Sequence, residues 1–253
     1  MAERIMAHLV AGYPDLEGSL EVARGLLEGG CAYLEVQFPF SDPTADGPLI
    51  QEACDTALRS GFRVARGFEL VRRIRSFTPL PVFLMSYANP VVAGGVGEFL
   101  DRAREAGAAG IIVPDLPVDS DEGLYARSRE LGLEAVPVVA PNITEERLEL
   151  VGGTGARYLY AALRPGITGQ RTEIGIENLA FLGRLDRPGR KVLAGFGVSD
   201  PAQVRALAPH VHAVIVGSAF IRAIREAGGR SAGTDSLRRA VQARMRELAG
   251  AEG

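Results

Sequence analysis

The chain has 253 residues, a formal net charge of −3, 47% hydrophobic residues, 31 glycines and two cysteines. At this length one core can bury roughly three quarters of the surface the unfolded chain exposes. An average apolar fraction speaks against disorder, and the even charge balance without a Lys/Arg block speaks against a nucleic-acid surface.

From the N-terminus, runs of Val, Ile, Leu and aromatics alternate with stretches whose apolar residues recur at i, i+3, i+4 and i+7. The pattern predicts a strand over 5–10 and a helix over 16–27, in which Leu20, Ala23 and Leu27 share a face. A strand over 32–38 precedes helices over 49–58 and 68–74, and a strand over 81–85 precedes a helix over 98–106. Strand and helix then alternate over 110–113 and 121–131, 134–139 and 145–151, 158–162 and 178–185, and 191–194 and 201–207. A strand over 213–216 and an Arg-rich amphipathic helix over 236–248 end the series. Thr144 is an N-cap candidate without a full capping box, and Ser199-Asp200-Pro201 sets a polar cap before a proline at the first helical position. Gly107 and Gly132 stand where helices end in a left-handed residue.

Eight strands alternating with helices in about 250 residues is the arithmetic of a (β/α)8 TIM barrel, read here as one domain over 1–253. The nearly continuous apolar run Ala213, Val214, Ile215, Val216 suits a strand buried on both faces. The alternative, a doubly wound open sheet, usually carries G-x-G-x-x-G after its first strand, where this chain has Ala11-Gly12-Tyr13-Pro14. Cys31 and Cys54 are too few for a disulfide scaffold and read as reduced thiols of a cytoplasmic protein. No signal peptide is expected, and no apolar run reaches the roughly 18–20 residues that span a bilayer.

In a barrel, function sits at the C-terminal ends of the strands. Glu35 interrupts an apolar strand, and if Leu34, Val36 and Phe38 face the helices, Glu35 and Gln37 face the barrel interior. An enclosed carboxylate suits general acid–base work; the plainer reading is a buried structural Glu paired with an Arg. Asp42 and Asp46 are each a candidate second carboxylate or simple turn residues. Gly195, Phe196, Gly197 after the seventh strand and Gly217, Ser218 after the eighth fall where barrels of this type bind phosphate. The long segment 163–172, with Arg164 and Arg171, is a lid candidate or a plain connection. His8, near the top of the first strand, either faces the site or packs in the core. His210 and His212 flank the entry to the eighth strand at the barrel bottom and read as structural or exposed. Tyr87 and Asn89 either line a pocket or pack. No metal or nucleotide motif is visible.

The run Pro39-Phe40-Ser41-Asp42-Pro43-x-x-Asp46-Gly47-Pro48 following Glu35 resembles the signature of the tryptophan synthase alpha chain family. The likeness continues in order through Leu84–Pro90 (LMSYANP), Val113–Pro117 (VPDLP), Arg164–Gly169 (RPGITG), Gly195–Ser199 (GFGVS) and Val216–Ala219 (VGSA). The resemblance implies a TIM-barrel lyase that cleaves indole-3-glycerol phosphate to indole and glyceraldehyde 3-phosphate, with no metal or organic cofactor. It implies Glu35 as the principal acid–base group and Asp46 as the group at the indole nitrogen. Tyr160 would support the glyceryl portion, and Gly169, Gly197, Gly217 and Ser218 would hold the phosphate. Thr168 would pair with the aspartate on lid closure, and His8 and Tyr87 would line the substrate pocket. The partner it implies is a pyridoxal-phosphate-dependent beta chain in an α2β2 complex.

Several positions depart from the family pattern. The chain begins about one helix short, so the barrel bottom is expected to be less covered. Tyr13 replaces a usual Asp, His8 a usual aromatic, Gln37 a usual Gly, and Leu163 a usual Ser or Thr. Gln37 needs space and a hydrogen-bond partner inside the barrel. Two other readings stay open: a weakly active subunit that mainly activates a beta chain, and another phosphate-binding barrel enzyme.

Overall fold

The computed structural model describes residues 4–163 and 174–250. Its strands are β1 (Ile5–Val10), β2 (Tyr33–Gln37), β3 (Val82–Met85), β4 (Gly110–Ile112), β5 (Glu134–Val136), β6 (Val138–Val139), β7 (Tyr158–Ala162), β8 (Lys191–Gly195) and β9 (Ala213–Val216). They form one parallel sheet in the order β5-β4-β3-β2-β1-β9-β8-β7-β6. The two ends of that order, β5 and β6, are successive pieces of one predicted strand. Pro137 lies between them and has no N–H to give to the ladder, but its carbonyl accepts from Tyr160 N at 2.9 Å. The chain itself therefore closes the barrel, and the expected eight strands become nine segments.

The helices are α1 (Leu16–Glu28), α2 (Pro48–Arg59), α3 (Val64–Arg75), α4 (Ala88–Val92), α5 (Val96–Glu105), α6 (Leu124–Leu131), α7 (Glu145–Gly153), α8 (Ile176–Leu185), α9 (Pro201–Leu207), α10 (Ser218–Glu226) and α11 (Thr234–Leu248). Two of them, α4 and α10, are absent from the sequence reading. The short α4 is disguised by Asn89-Pro90. The glycine loop at 217 masks α10, although Phe220, Ile221 and Ile224 are buried beside exposed Arg222, Arg225 and Glu226. The expected caps form: Thr144 Oγ1 accepts from Arg147 N at 3.3 Å, and Asp200 caps α9 in a capping box with Gln203.

Alternation along the strands divides the core into two layers. Leu34, Val36 and Phe38 pack outward against the helices, while Met6, Tyr33, Phe83, Met85, Ile112, Tyr158, Tyr160, Leu193 and Ile215 fill the barrel. Phe38 is fully buried and meets the edges of Phe62, Phe68 and Phe99 at 5.1–6.1 Å. Burying a Phe contributes about 1.5–3 kcal/mol, and each such ring pair adds about 0.5–1.5 kcal/mol. A one-residue slip of β2 would forfeit that cluster and reverse every side chain. Phe38 thus fixes the register that turns Glu35 and Gln37 inward. No helix among the described residues is long and apolar enough to cross a membrane.

Candidate active site

The C-terminal ends of the strands enclose a cavity with two unlike walls. His8, Glu35, Asp46 and Tyr160 supply polar groups. Ile50, Met85, Phe196, Val198 and Ile215 supply an apolar surface, and Gly197, Gly217 and Ser218 close the far side. Strand pairing explains the polar group, because His8 is the direct neighbour of Glu35 in the β1–β2 ladder, and Gln37 follows two residues on.

Glu35 is fully buried, and its partner is a histidine and not the arginine of the plainer sequence reading. Glu35 Oε2 lies 2.9 Å from His8 Nδ1. Burial works against a charged imidazole at His8. The charge and hydrogen bond of Glu35, the charge of Asp46 and the Gln37 amide outweigh it and raise the pKa above 6.5. His8 Nε2, Glu35 Oε1 and Gln37 Oε1 are buried and have no hydrogen-bond partner among the described residues. Such atoms are costly in a finished core, so the site is built to receive polar groups.

Asp46 comes from the loop between β2 and α2. Gln37 Nε2 donates to its Oδ2 at 2.6 Å and Tyr87 OH donates at 2.8 Å. Gln51 Nε2 holds the Asp46 backbone carbonyl at 2.8 Å. Burial raises the Asp46 pKa; His8, Gln37 and Tyr87 oppose the shift, and Glu35 adds to it. Gln37 therefore has the partner it needs, and its amide also reaches Cys54 Sγ at 3.6 Å. Burial pushes the Cys54 thiol up to about 12, with Asp46 adding to the shift, so it stays protonated. Burial, then Glu35, Asp46 and Tyr87, hold Tyr160 well above the ordinary phenol value, leaving it a hydrogen-bond donor.

The far wall is backbone. Gly197 has φ 86°, a conformation glycine adopts without strain. Gly217 lies so close to His8 that a Cβ there would stand 3.0 Å from the ring Cδ2. Ser218 opens α10, whose N-terminus favours an anion. Gln203 Nε2 donates to the Gly197 carbonyl at 3.1 Å and holds the β8–α9 loop.

The other expected residues fall as follows. Tyr87 is fully buried behind Asp46 and does not line the cavity. Its hydroxyl accepts from Ala45 N at 3.1 Å, so it braces the loop. Asp42 is exposed and accepts from Ser41 Oγ, and Asn89 and His210 are also exposed. His212 sits at the barrel bottom, 2.7 Å from Tyr33 OH. Thr168, Gly169, Arg164 and Arg171 lie outside the described residues. Sequence reasoning did not single out Ile50, Met85 and Ile215, whose inward phase on strand or helix was the available signal. Phe196, named there only as part of the glycine-rich phosphate segment, adopts φ 73° and meets Tyr160 edge-on at 5.4 Å. A bulky residue in that conformation costs about 1–3 kcal/mol and marks a functional loop; its position between two glycines was the clue. Among the described residues, no group of three or more His, Cys, Asp or Glu side chains is arranged to hold a metal ion.

Residues 2–250 match the family model described as tryptophan synthase alpha chain. The tryptophan synthase alpha chain of Leifsonia xyli is 39% identical over 233 residues, covering 92% of this chain and 89% of that one. The Helicobacter hepaticus alpha chain is 36% identical over 230 residues, covering 88% and 86%. Among solved structures, Mycobacterium tuberculosis tryptophan synthase superposes with a TM-score of 0.85 at 34% identity, covering 99% of this chain and 92% of that one. A chain of the Pyrococcus furiosus tryptophan synthase complex gives 0.85 at 32% identity, covering 98% of each. The chain belongs to the tryptophan synthase alpha chain family.

Proposed function

We propose that the chain cleaves indole-3-glycerol phosphate to indole and glyceraldehyde 3-phosphate and works with a tryptophan synthase beta chain. Family membership supports the reaction, the α2β2 partnership and a cytoplasmic enzyme. The observation that carries the site assignment is two carboxylates, Glu35 and Asp46, facing one cavity whose far wall is Gly197, Gly217 and Ser218.

The step is a retro-aldol cleavage. Glu35 gives a proton from Oε1 to indole C3, and the ring passes through an iminium form. Asp46 lies at the indole N–H and stabilises the positive charge that develops there. The hydroxyl on the adjacent side-chain carbon returns a proton to Glu35 and becomes the aldehyde. The carbon–carbon bond breaks, and its electron pair restores the indole ring. Glu35 is unchanged over the cycle. Tyr160 donates to the glyceryl oxygens, Gly197, Gly217 and Ser218 receive the phosphate, and Tyr87 and Gln37 orient Asp46. Thr168 and Gly169 belong to the same proposal on family resemblance alone.

The test is indole release from indole-3-glycerol phosphate, with and without a beta chain, by wild type and Glu35→Gln. Wild type should release indole, and Glu35→Gln should lose about 10²-fold or more. Undiminished release by Glu35→Gln sinks the mechanism. No release by wild type, with beta-chain activation intact, makes the chain an activating subunit.

A further inference from the structure

We propose that His8 is a positioning residue for Glu35, and that the two side chains form one proton store whose mobile proton sits either on His8 Nε2 or on Glu35 Oε1. The inference deepens the reading of Glu35 as the acid–base group and rests on it.

The geometry carries the argument. The Nδ1–Oε2 distance of 2.9 Å joins one atom of each side chain. The remaining polar atom of each, Nε2 and Oε1, is buried with no partner among the described residues. With Nδ1–H donating to Oε2 throughout, one further proton has two homes. On Nε2 the pair is imidazolium and carboxylate; on Oε1 it is neutral imidazole and carboxylic acid. Total charge and proton count are the same in both. The second arrangement is the one that can protonate a carbon facing Oε1. When Oε1 gives its proton away, the Nδ1–H bond to Oε2 becomes charge-assisted and stronger. When the substrate hydroxyl returns a proton to Oε1, the bond relaxes. Over the cycle the pair lends one proton and recovers one, so its proton count is unchanged.

Neighbours fix the arrangement. The His8 ring lies against Gly217, where a Cβ would stand 3.0 Å from its Cδ2, so the glycine leaves the imidazole the room it occupies. The other titratable groups turned toward the pair are Asp46, which attracts a charged His8, and the Tyr160 phenol, which stays protonated. Neither is hydrogen-bonded to His8. A carboxyl group alone ordinarily holds its proton about two pH units less tightly than an imidazole. Sharing with His8 therefore lets the pair as a whole keep that proton to higher pH than a lone carboxyl would.

Two measurements test this. The first is the pH profile of kcat for indole formation by wild type and His8→Gln, whose amide can still donate to Glu35 Oε2. In His8→Gln the alkaline limb should move down by about one to two pH units, with KM little changed. A superimposable profile overturns the proposal. The second is the His8 titration followed by NMR on histidine-labelled protein, its resonance identified by loss in His8→Gln. The titration should lie above 6.5 in wild type and fall in Glu35→Gln. An unmoved titration in Glu35→Gln overturns the proposal whether or not indole is formed. Absence of indole release by wild type alongside a shifted titration overturns the functional reading and leaves the pair established.

Discussion

Tyr87→Phe removes one oxygen atom and tests the claim that this residue braces Asp46. The ring is fully buried and stacks on Phe40 with centroids 5.5 Å apart, and phenylalanine keeps that packing. What is lost is the hydroxyl, which donates to Asp46 Oδ2 at 2.8 Å and accepts from Ala45 N at 3.1 Å. A hydrogen bond to a charged group is worth about 1.5–3 kcal/mol, and an orphaned buried donor costs about 1–3 kcal/mol. Ala45 is only partly buried, so water recovers part of the second term. The expected destabilisation is about 3 kcal/mol, or roughly 6–12 °C in Tm for a chain of this size. Urea unfolding at pH 7 measures it directly. The double-mutant cycle with Asp46→Asn isolates the Asp46 share, with a coupling of at least about 1 kcal/mol. A loss below about 0.5 kcal/mol, or strict additivity with Asp46→Asn, would refute the bracing role. Losing a donor that favours the carboxylate should also move the Asp46 pKa further upward, so that the acid limb of the rate profile shifts to higher pH.

Three further outcomes follow from the same geometry. Asp46 has a folded-state pKa above its ordinary value, so native stability falls as pH rises through that folded value. Asp46→Asn should therefore be more stable than the parent at pH 7 and lose that advantage toward pH 3.8, while its indole release collapses; equal stability at both pH values contradicts the assignment. Gly217→Ala puts a Cβ 3.0 Å from the His8 ring, which must shift, and overpacking of this kind costs about 1–3 kcal/mol; KM for the phosphorylated substrate should rise, and unchanged KM and unfolding midpoint count against the close contact. His212 has a folded-state pKa depressed by burial, Lys191 and Arg4, so it withholds stability as pH falls from 6.5 through the lowered value. His212→Gln should flatten the stability profile in that window, and an unaltered slope excludes His212 as its source.

The sequence makes the barrel readable because each β–α unit has its own period and punctuation. The strand 5–10 matches β1 at both ends, and 201–207 matches α9, where Asp200, Pro201 and Gln203 are all local signals. Pro137 breaks a strand that hydrophobicity alone joins, and α10 starts inside a loop whose glycines dominate the reading. In the site, Glu35 stands out as a charge in an apolar run, and Asp46 by its place in a dense Pro/Asp motif. Two features are not local. Tyr87 looks like a pocket residue until the fold sets its hydroxyl 41 positions away on Asp46. The Glu35 partner looks like an arginine, the usual mate of a buried carboxylate, until the β1–β2 register brings His8 beside it. Both depend on which strand ends meet, and the sequence carries no direct signal for that.

The two ends of the barrel use similar side chains to opposite effect. At the N-terminal end, Tyr33, Tyr158 and Phe83 pack edge to face at 5.2–6.3 Å. Their polar atoms are spoken for: Tyr33 OH meets His212 Nε2 at 2.7 Å, Lys191 Nζ meets Tyr158 OH at 3.3 Å, and Arg4 meets His212 Nδ1 at 3.4 Å. At the C-terminal end, His8, Glu35 and Gln37 each leave one buried polar atom without a partner among the described residues. Each such atom costs about 1–3 kcal/mol. A sequence selected only for stability would close those bonds, as it does for Tyr33, Tyr158 and His212, or replace the groups with apolar ones of equal volume. The penalty is held at the mouth, beside Gly197 and Gly217, where a polar, anionic molecule can offset it. The contrast supports the proposed site at the mouth through hydrogen bonding, a line of argument separate from the family resemblance.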